Sequence, residues 1–177
     1  HEQTQKAGLA NKIIGKFAHK VCISYESSRP FFKKDKTVLT GNPLRSDILD
    51  VDQKLDVKTT LPILTIMGGS SGSHRVNMYV KDILPLLLEK FSVIHQVGDA
   101  QEFKDYDVLL EFKNSMNKKM QENYTVLKFI DSKYMGWVYK HTDVFVSRSG
   151  ANTVQELLAL SKKAVLIPLS YAGGGEQ

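Results

Sequence analysis

Two short stretches carry residue types suited to holding an anion. Gly68-Gly69-Ser70-Ser71-Gly72-Ser73 stands between an apolar run and an amphipathic one. Small residues let the backbone approach a charged group closely. A helix starting here offers free N–H groups and the positive end of its dipole. Phosphate is the ligand such a turn fits, although a tight structural turn also accounts for it. No Gly-Lys-Ser/Thr closes it, so it is not a Walker A loop, and it lacks the spacing of the dinucleotide-binding G-x-G-x-x-G turn. Ser147-Arg148-Ser149-Gly150-Ala151-Asn152-Thr153-Val154-Gln155-Glu156 has the same character. Gly150 and Ala151 keep the backbone open, and Glu156, three residues after Thr153, shares its helix face. An acid there can accept hydrogen bonds from a ribose diol, as acids do in other nucleotide folds. The same residues also fit a capping box, with Thr153 as cap and Glu156 reaching back.

Other stretches are weaker signals taken alone. In Gly41-Asn42-Pro43-Leu44-Arg45 an arginine follows a rigid turn and can pair with a phosphate, or be an ordinary surface residue. Pro168 to Gln177 ends in amide and acid groups of the kind that read sugar hydroxyls, and also reads as a loose tail. The triplets Asp50-Val51-Asp52 and Asp105-Tyr106-Asp107 fit a metal that neutralises a diphosphate, but both lie in charged segments away from the glycine-rich turns. His19, His74, His95 and His141 lack metal-ligand spacing, which favours core or surface roles.

These turns need elements to hold them. Helical spacing of apolar residues predicts helices over residues 5–18, 76–88, 132–141 and 152–160, with a charged helical stretch in two pieces over 101–121. Strands are predicted over residues 21–25, 38–40, 61–67, 91–97, 125–130, 144–146 and 164–169. Residues 26–37 read as loop, and 50–60 as a linker-like surface segment. Strand and helix alternate at least four times, and the strands are unbroken apolar runs. That pattern predicts an α/β, doubly wound parallel sheet covered on both faces. Ligands in such sheets sit beyond the carboxyl ends of the strands, which directs attention to the turns after Met67, Phe129, Val146 and Pro168.

Composition sets outer bounds. The chain has 177 residues, 42% hydrophobic and 24% charged, enough for one domain or one domain plus part of another. The net charge of +5 suits an anionic partner, but the lysines are scattered and the densest run is Lys33, Lys34 and Lys36, a solvated loop rather than a nucleic-acid arm. Cys22 is the single cysteine, so no internal disulfide forms, and its apolar run predicts a buried thiol. No apolar stretch is long enough to span a membrane. The first residues, His1-Glu2-Gln3, and the last, Gly173-Gly174-Gly175-Glu176-Gln177, suggest a piece of a longer protein.

Taken together and in order, the motifs resemble one family. His1-Glu2-Gln3 with Gly8-Leu9 and Asn11-Lys12 is similar to its His-Glu-Gln-Asn segment and following helix. Gly41-Asn42-Pro43-Leu44-Arg45, Gly68-Gly69-Ser70 with Gly72, and His95-Gln96 with Gly98 follow its pattern. So do Phe129-Ile130-Asp131, Ser147 to Ala151, Thr153-Val154 with Glu156, and Ile167-Pro168-Leu169. This is the MurG family of UDP-N-acetylglucosamine transferases of bacterial peptidoglycan synthesis. The resemblance implies a GT-B architecture of two Rossmann-like domains. Residues 1–44 would close the acceptor domain and its linker, and residues 45–177 would form most of the UDP-sugar domain.

The implied reaction moves N-acetylglucosamine from UDP-N-acetylglucosamine to lipid I, giving lipid II with inversion and no metal or other cofactor. Arg45 and Ser70 would meet the donor around its diphosphate. The Ile130 backbone would meet the uracil. Ala151, Asn152 and Thr153 would hold the diphosphate and sugar side, Glu156 the ribose hydroxyls and Gln177 the sugar hydroxyls. Thr4 stands where the family has Asn, and Asn152 where it usually has Leu. No catalytic residue is assigned within the chain, and the chain by itself is expected not to catalyse transfer. The family works peripherally at the cytoplasmic face of the bacterial inner membrane. Lys6, Lys12, Lys16 and Lys20 would meet anionic lipid there, or simply line a solvated helix face. No nucleic-acid partner is implied. Another GT-B transferase of UDP-sugars and a non-catalytic nucleotide-binding α/β module are the competing readings.

Overall fold

The computed structural model describes residues 1–58, 60–69 and 71–168. Cα packing groups them into two units. The first gathers His1–Leu44, Ser149–Glu156 and, of the last described residues, Pro168; the second gathers Arg45–Arg148 and Leu157–Ile167.

In the first unit, β1 (Val21–Ile23) and β2 (Thr37–Leu39) pair in parallel, with Val21 opposite Thr37 and Ile23 opposite Leu39. The chain start adds to this ladder. Glu2 N–H donates to the Cys22 carbonyl at 2.9 Å, and Ser24 N–H to the Glu2 carbonyl at 2.9 Å. The helix read over residues 5–18 is α1 (Leu9–Phe17). Its late start has a local cause: the buried Glu2 carboxylate accepts from Thr4 N–H, Gly8 N–H and the Asn11 amide, which holds residues 4–8 in a loop. Residues 26–37, read as loop, contain two 3₁₀ turns, Glu26–Phe31 and Lys34–Lys36. The Arg29 guanidinium grips the Glu26 carboxylate across the first of them. Cys22 is half-buried rather than buried, because it is the outward residue of the alternating strand β1.

The second unit is a five-stranded parallel sheet. Its strands are β3 (Ile63–Met67), β4 (Ser92–Gln96), β5 (Tyr124–Leu127), β6 (Val144–Arg148) and β7 (Lys163–Ile167), in the order β5-β4-β3-β6-β7. The chain builds outward from β3 to β5 and then returns to the other side of β3, the doubly wound pattern expected from the sequence. Helices α2 (His74–Leu88), α3 (Asp105–Ser115), α4 (Lys118–Asn123) and α5 (Ser132–His141) belong to this unit, while α6 (Ala151–Ala159) follows β6 in the chain with its residues up to Glu156 grouped in the first unit.

Side chains of β3 alternate between two cores. Leu64 and Ile66 pack with Val76, Val80, Leu84 and Leu88 of α2, with Leu109, and with Val93, Tyr124 and Val126 of the neighbouring strands. Ile63 and Met67 pack with Ile94, Phe145 and with Met135, Trp137, Val138 and Tyr139 of α5. This second core corrects the reading of residues 50–60 as a surface linker. Leu55 is 8% exposed and joins it with Ile48, just upstream. Gly136 explains how that segment gets close: a Cβ there would lie 1.7 Å from the Asp50 carbonyl oxygen.

Candidate functional site

In the second unit the turns after β3, β4 and β5 meet at the carboxyl edge of the sheet. Past β3 the chain enters α2 at His74, and the first turn of that helix receives no hydrogen bond from the Ser73 side chain. Gly72 (φ +77) and Gly98 (φ +80), from the turns after β3 and β4, lie backbone against backbone. A Cβ on Gly72 would sit 2.1 Å from the Val97 carbonyl oxygen, and one on Gly98 would sit 2.3 Å from Gly72 N. Only glycine tolerates both the conformation and the contact. The two turns are thereby fixed to each other rather than hanging free.

Beneath them runs a polar chain that starts at the exposed His74 and is buried from Asp105 onward. His74 Nδ1 meets Asp105 Oδ1 at 2.6 Å, and Asp105 Oδ2 accepts from Asn77 Nδ2 at 2.7 Å. Asn77 Nδ2 also donates to the Val97 carbonyl at 3.0 Å, so both its hydrogens are used. Its Oδ1 must therefore accept from His95 Nε2, at 3.1 Å. His95 Nδ1 is left to accept from the Tyr124 hydroxyl, at 3.0 Å. Burial holds the His95 imidazole far below its ordinary range, at about 3, with the nearby Asp105 pulling the other way. The ring is neutral at pH 7, which the tautomer above requires. Burial pushes the Tyr124 hydroxyl up, so it keeps its proton. His74 stacks on Phe103 with ring centroids 4.1 Å apart. In sequence Asp105 lies in a charged segment away from the glycine-rich turns. It packs instead behind the first of them, 5% exposed, bonded to the first residue of α2. Its commitment to His74 and Asn77 fits a bracing role, and among the described residues no cluster of three or more His, Cys, Asp or Glu could hold a metal ion.

Ile130, three residues past β5, is 8% exposed, and its N–H donates to Gln96 Oε1 at 3.0 Å. Arg45 forms an ion pair with Asp47 at 3.6 Å and is half exposed. Gln96 is the residue that sequence reasoning passed over. Nothing in the His95-Gln96-x-Gly98 spacing indicates that the Gln96 side chain reaches two turns at once, to the Gly69 carbonyl and the Ile130 N–H. Ser70 and Gln177 lie outside the described residues.

In the first unit, α6 begins at Ala151, and Val154 N–H donates to the Gly150 carbonyl at 3.0 Å. Thr153 is therefore the third helical residue and not a cap, which removes the capping-box reading of Thr153 with Glu156. Glu156 is 4% exposed. Asn152 is exposed, and its Oδ1 accepts from Gln3 Nε2 at 3.2 Å and Asn42 Nδ2 at 2.9 Å. The Thr4 hydroxyl lies 2.7 Å from both Glu2 Oε1 and the Lys6 carbonyl, so its one hydrogen is spent inside its own loop. Burial raises the Glu2 carboxyl, but the bonds from Thr4 N–H, Asn11, the Thr4 hydroxyl and Gly8 N–H together outweigh it and hold the group below its usual range. Glu2 organises this loop, a role its place in a motif did not announce.

Residues 63–177 match the family described as Glycosyltransferase family 28 C-terminal domain. The chain belongs to this family. The family 28 chain is 37% identical over 188 residues to a protein of Geotalea uraniireducens named UDP-N-acetylglucosamine--N-acetylmuramyl-(pentapeptide) pyrophosphoryl-undecaprenol N-acetylglucosamine transferase, covering 100% of this chain and 47% of that protein. A protein of the same name from Flavobacterium psychrophilum is 37% identical over 175 residues, covering 94% of this chain and 44% of its own length. The crystal structure of Acinetobacter baumannii MurG superposes with a TM-score of 0.63 at 26% identity, over 97% of this chain and 46% of that one. The family 28 chain thus spans just under half the length of these relatives. The α/β, Rossmann-like GT-B class and the MurG resemblance read from the sequence are borne out.

Proposed function

We propose that this chain is the donor-gripping part of an inverting hexosyltransferase that moves N-acetylglucosamine from UDP-N-acetylglucosamine to lipid I, forming lipid II in peptidoglycan biosynthesis. The observation that carries the reading is the close backbone packing of Gly72, past β3, against Gly98, past β4, at the carboxyl edge of a parallel sheet in a family 28 domain. A turn locked in this way presents backbone N–H groups to an anion without first having to order itself, which favours a diphosphate.

Residue roles follow the same proposal. Arg45 and Ser70 take the diphosphate, with Ala151, Asn152 and Thr153 at the start of α6 on its sugar side. The Ile130 backbone meets the uracil, Glu156 the ribose and Gln177 the sugar hydroxyls. The Thr4 hydroxyl, bonded within its own loop, reaches a sugar only by exchanging a partner. On this proposal residues 1–44 are the end of an acceptor domain with its linker, and residues 45–177 a truncated UDP-sugar-binding domain.

The proposed location is peripheral, at the cytoplasmic face of the bacterial inner membrane. No helix among the described residues is long and apolar enough to cross a membrane. Leu9, Ile13, Ile14 and Phe17 of α1 are exposed beside Lys12 and Lys16, a composition suited to an anionic lipid surface.

A calorimetric titration with UDP-N-acetylglucosamine, repeated with UDP-glucose and with Glu156→Ala, tests the donor assignment. Preference for the N-acetyl sugar is expected, with a loss of about 1–3 kcal/mol in the variant as buried hydroxyls go unpaired. Equal binding of both sugars overturns the sugar assignment. An unchanged affinity in Glu156→Ala overturns the ribose role.

A further inference from the structure

Gln96 ends β4, and its side chain spans two turns at the carboxyl edge of the sheet. Its Oε1 accepts the Ile130 N–H at 3.0 Å, just past β5. Its Nε2 donates to the Gly69 carbonyl at 3.4 Å, in the turn past β3. A backbone N–H makes one strong hydrogen bond at a time. A ligand that takes the Ile130 N–H must first displace the Gln96 carboxamide. When it does, the Gly69 carbonyl loses its partner as well, in the turn assigned to the diphosphate. The side-chain amide offers Ile130 a carbonyl oxygen with an N–H group on the same carbon, the same pairing found along the carbonyl edge of uracil.

We infer that Gln96 is a latch that occupies the Ile130 amide, yields only to a base carbonyl, and in yielding releases the Gly69 carbonyl as well. The inference rests on the reading that the Ile130 backbone meets the base. It makes Gln96 a specificity-determining residue. A base presenting an amino group at this point sets donor against donor and leaves the latch closed, whereas a carbonyl replaces the Gln96 oxygen one for one. It also links the two ends of the nucleotide: filling the base end changes the hydrogen bonding of the phosphate turn.

The test measures uridine and UDP affinities by NMR and calorimetric titration for the wild type, Gln96→Met and Gln96→Glu. Methionine keeps the length of the side chain but cannot compete for the amide. Uridine and UDP should then bind about three- to tenfold more tightly, since one neutral hydrogen bond is no longer given up on binding. Glutamate competes harder, because a charged acceptor bonds more strongly. Uridine, which carries no phosphate to be repelled, should bind more weakly to it by a similar factor. Weaker binding to both variants, or no change in either, overturns the latch.

A second readout does not depend on the variants. In the wild type, saturating uridine should move the ¹⁵N–¹H signals of the Gln96 side-chain amide and of Gly69. Signals that stay in place overturn the latch. A wild type that binds neither uridine nor UDP overturns the donor reading itself and the latch with it. Binding by the wild type with both variants unaffected overturns the latch alone.

Discussion

Replacing Gly98 by alanine should unfold the protein far more readily than the addition of one methyl group suggests. The new Cβ would stand 2.3 Å from Gly72 N and 2.4 Å from Gly72 Cα, contacts with backbone that has no rotamer to move into. Gly98 also has φ +80, where an L-residue is strained by about 1–2 kcal/mol. Overpacking adds typically about 1–3 kcal/mol. The sum is about 2–5 kcal/mol, and with a urea slope of about 2 kcal/mol per M the unfolding midpoint should fall by roughly 1–2.5 M. Equilibrium urea unfolding followed by circular dichroism reads this directly. Gly8→Ala is the control: Gly8 has φ −64 and nothing within 4 Å of a new Cβ, so only the poorer helix cap counts, and the midpoint should fall by no more than about 0.5 M. Equal midpoints for Gly98→Ala and wild type would refute the locked-turn reasoning, and a fall of similar size in Gly8→Ala would show that the assay reports something other than this contact.

Three further expectations use the same assay. His95 is neutral when folded, with a pKa near 3, while an unfolded histidine takes up its proton near 6.5. Its contribution is therefore complete above pH 6.5 and drains as pH falls from there toward 3, by about 1.4 kcal/mol per unit. His95→Gln should flatten the stability profile between pH 6.5 and 5, and an unchanged slope would contradict the burial argument. Asn77→Leu fills the same space but leaves Asp105, His95 and the Val97 carbonyl each short of a partner, and should cost about 2–5 kcal/mol. Leu55→Ala should cost about 2–4 kcal/mol despite its charged neighbours in sequence, whereas a surface linker residue would cost under about 0.5 kcal/mol.

Much of the fold can be read from the sequence because its strongest signals are local. Strand β3 is a largely apolar run of strand length ending in turn residues, and α2 repeats apolar residues on one helical face. What escapes the sequence is decided by distant partners. Leu55 looks solvated among Asp52, Lys54 and Asp56, and it is buried because the core that includes Trp137 and Val138 of α5, more than 80 positions later, takes it in. Asp105 reads as one charge among several until α2 supplies His74 and Asn77. Thr153 and Glu156 have the spacing of a capping box, yet the helix starts two residues before Thr153, after Gly150. The glycine turns of the candidate site were legible, because backbone close to an anion needs small residues wherever the chain goes. The Gln96 bridge was not, since a glutamine at a strand end can point to many partners and only the three-dimensional arrangement selects two.

The chain of bonds from His74 to Tyr124 has a consequence for how this protein can change over generations. Each member's role as donor or acceptor is dictated by the one beside it, because both Asn77 hydrogens are spent and His95 has one tautomer left to it. A substitution at any one position leaves a buried group without its complement, while a matched pair of substitutions could restore the alternation. These five residues, drawn from two strands and two helices, should therefore be inherited as a set. A lineage would cross from one version to another through paired replacements, with the single replacements selected against even where no ligand is ever touched.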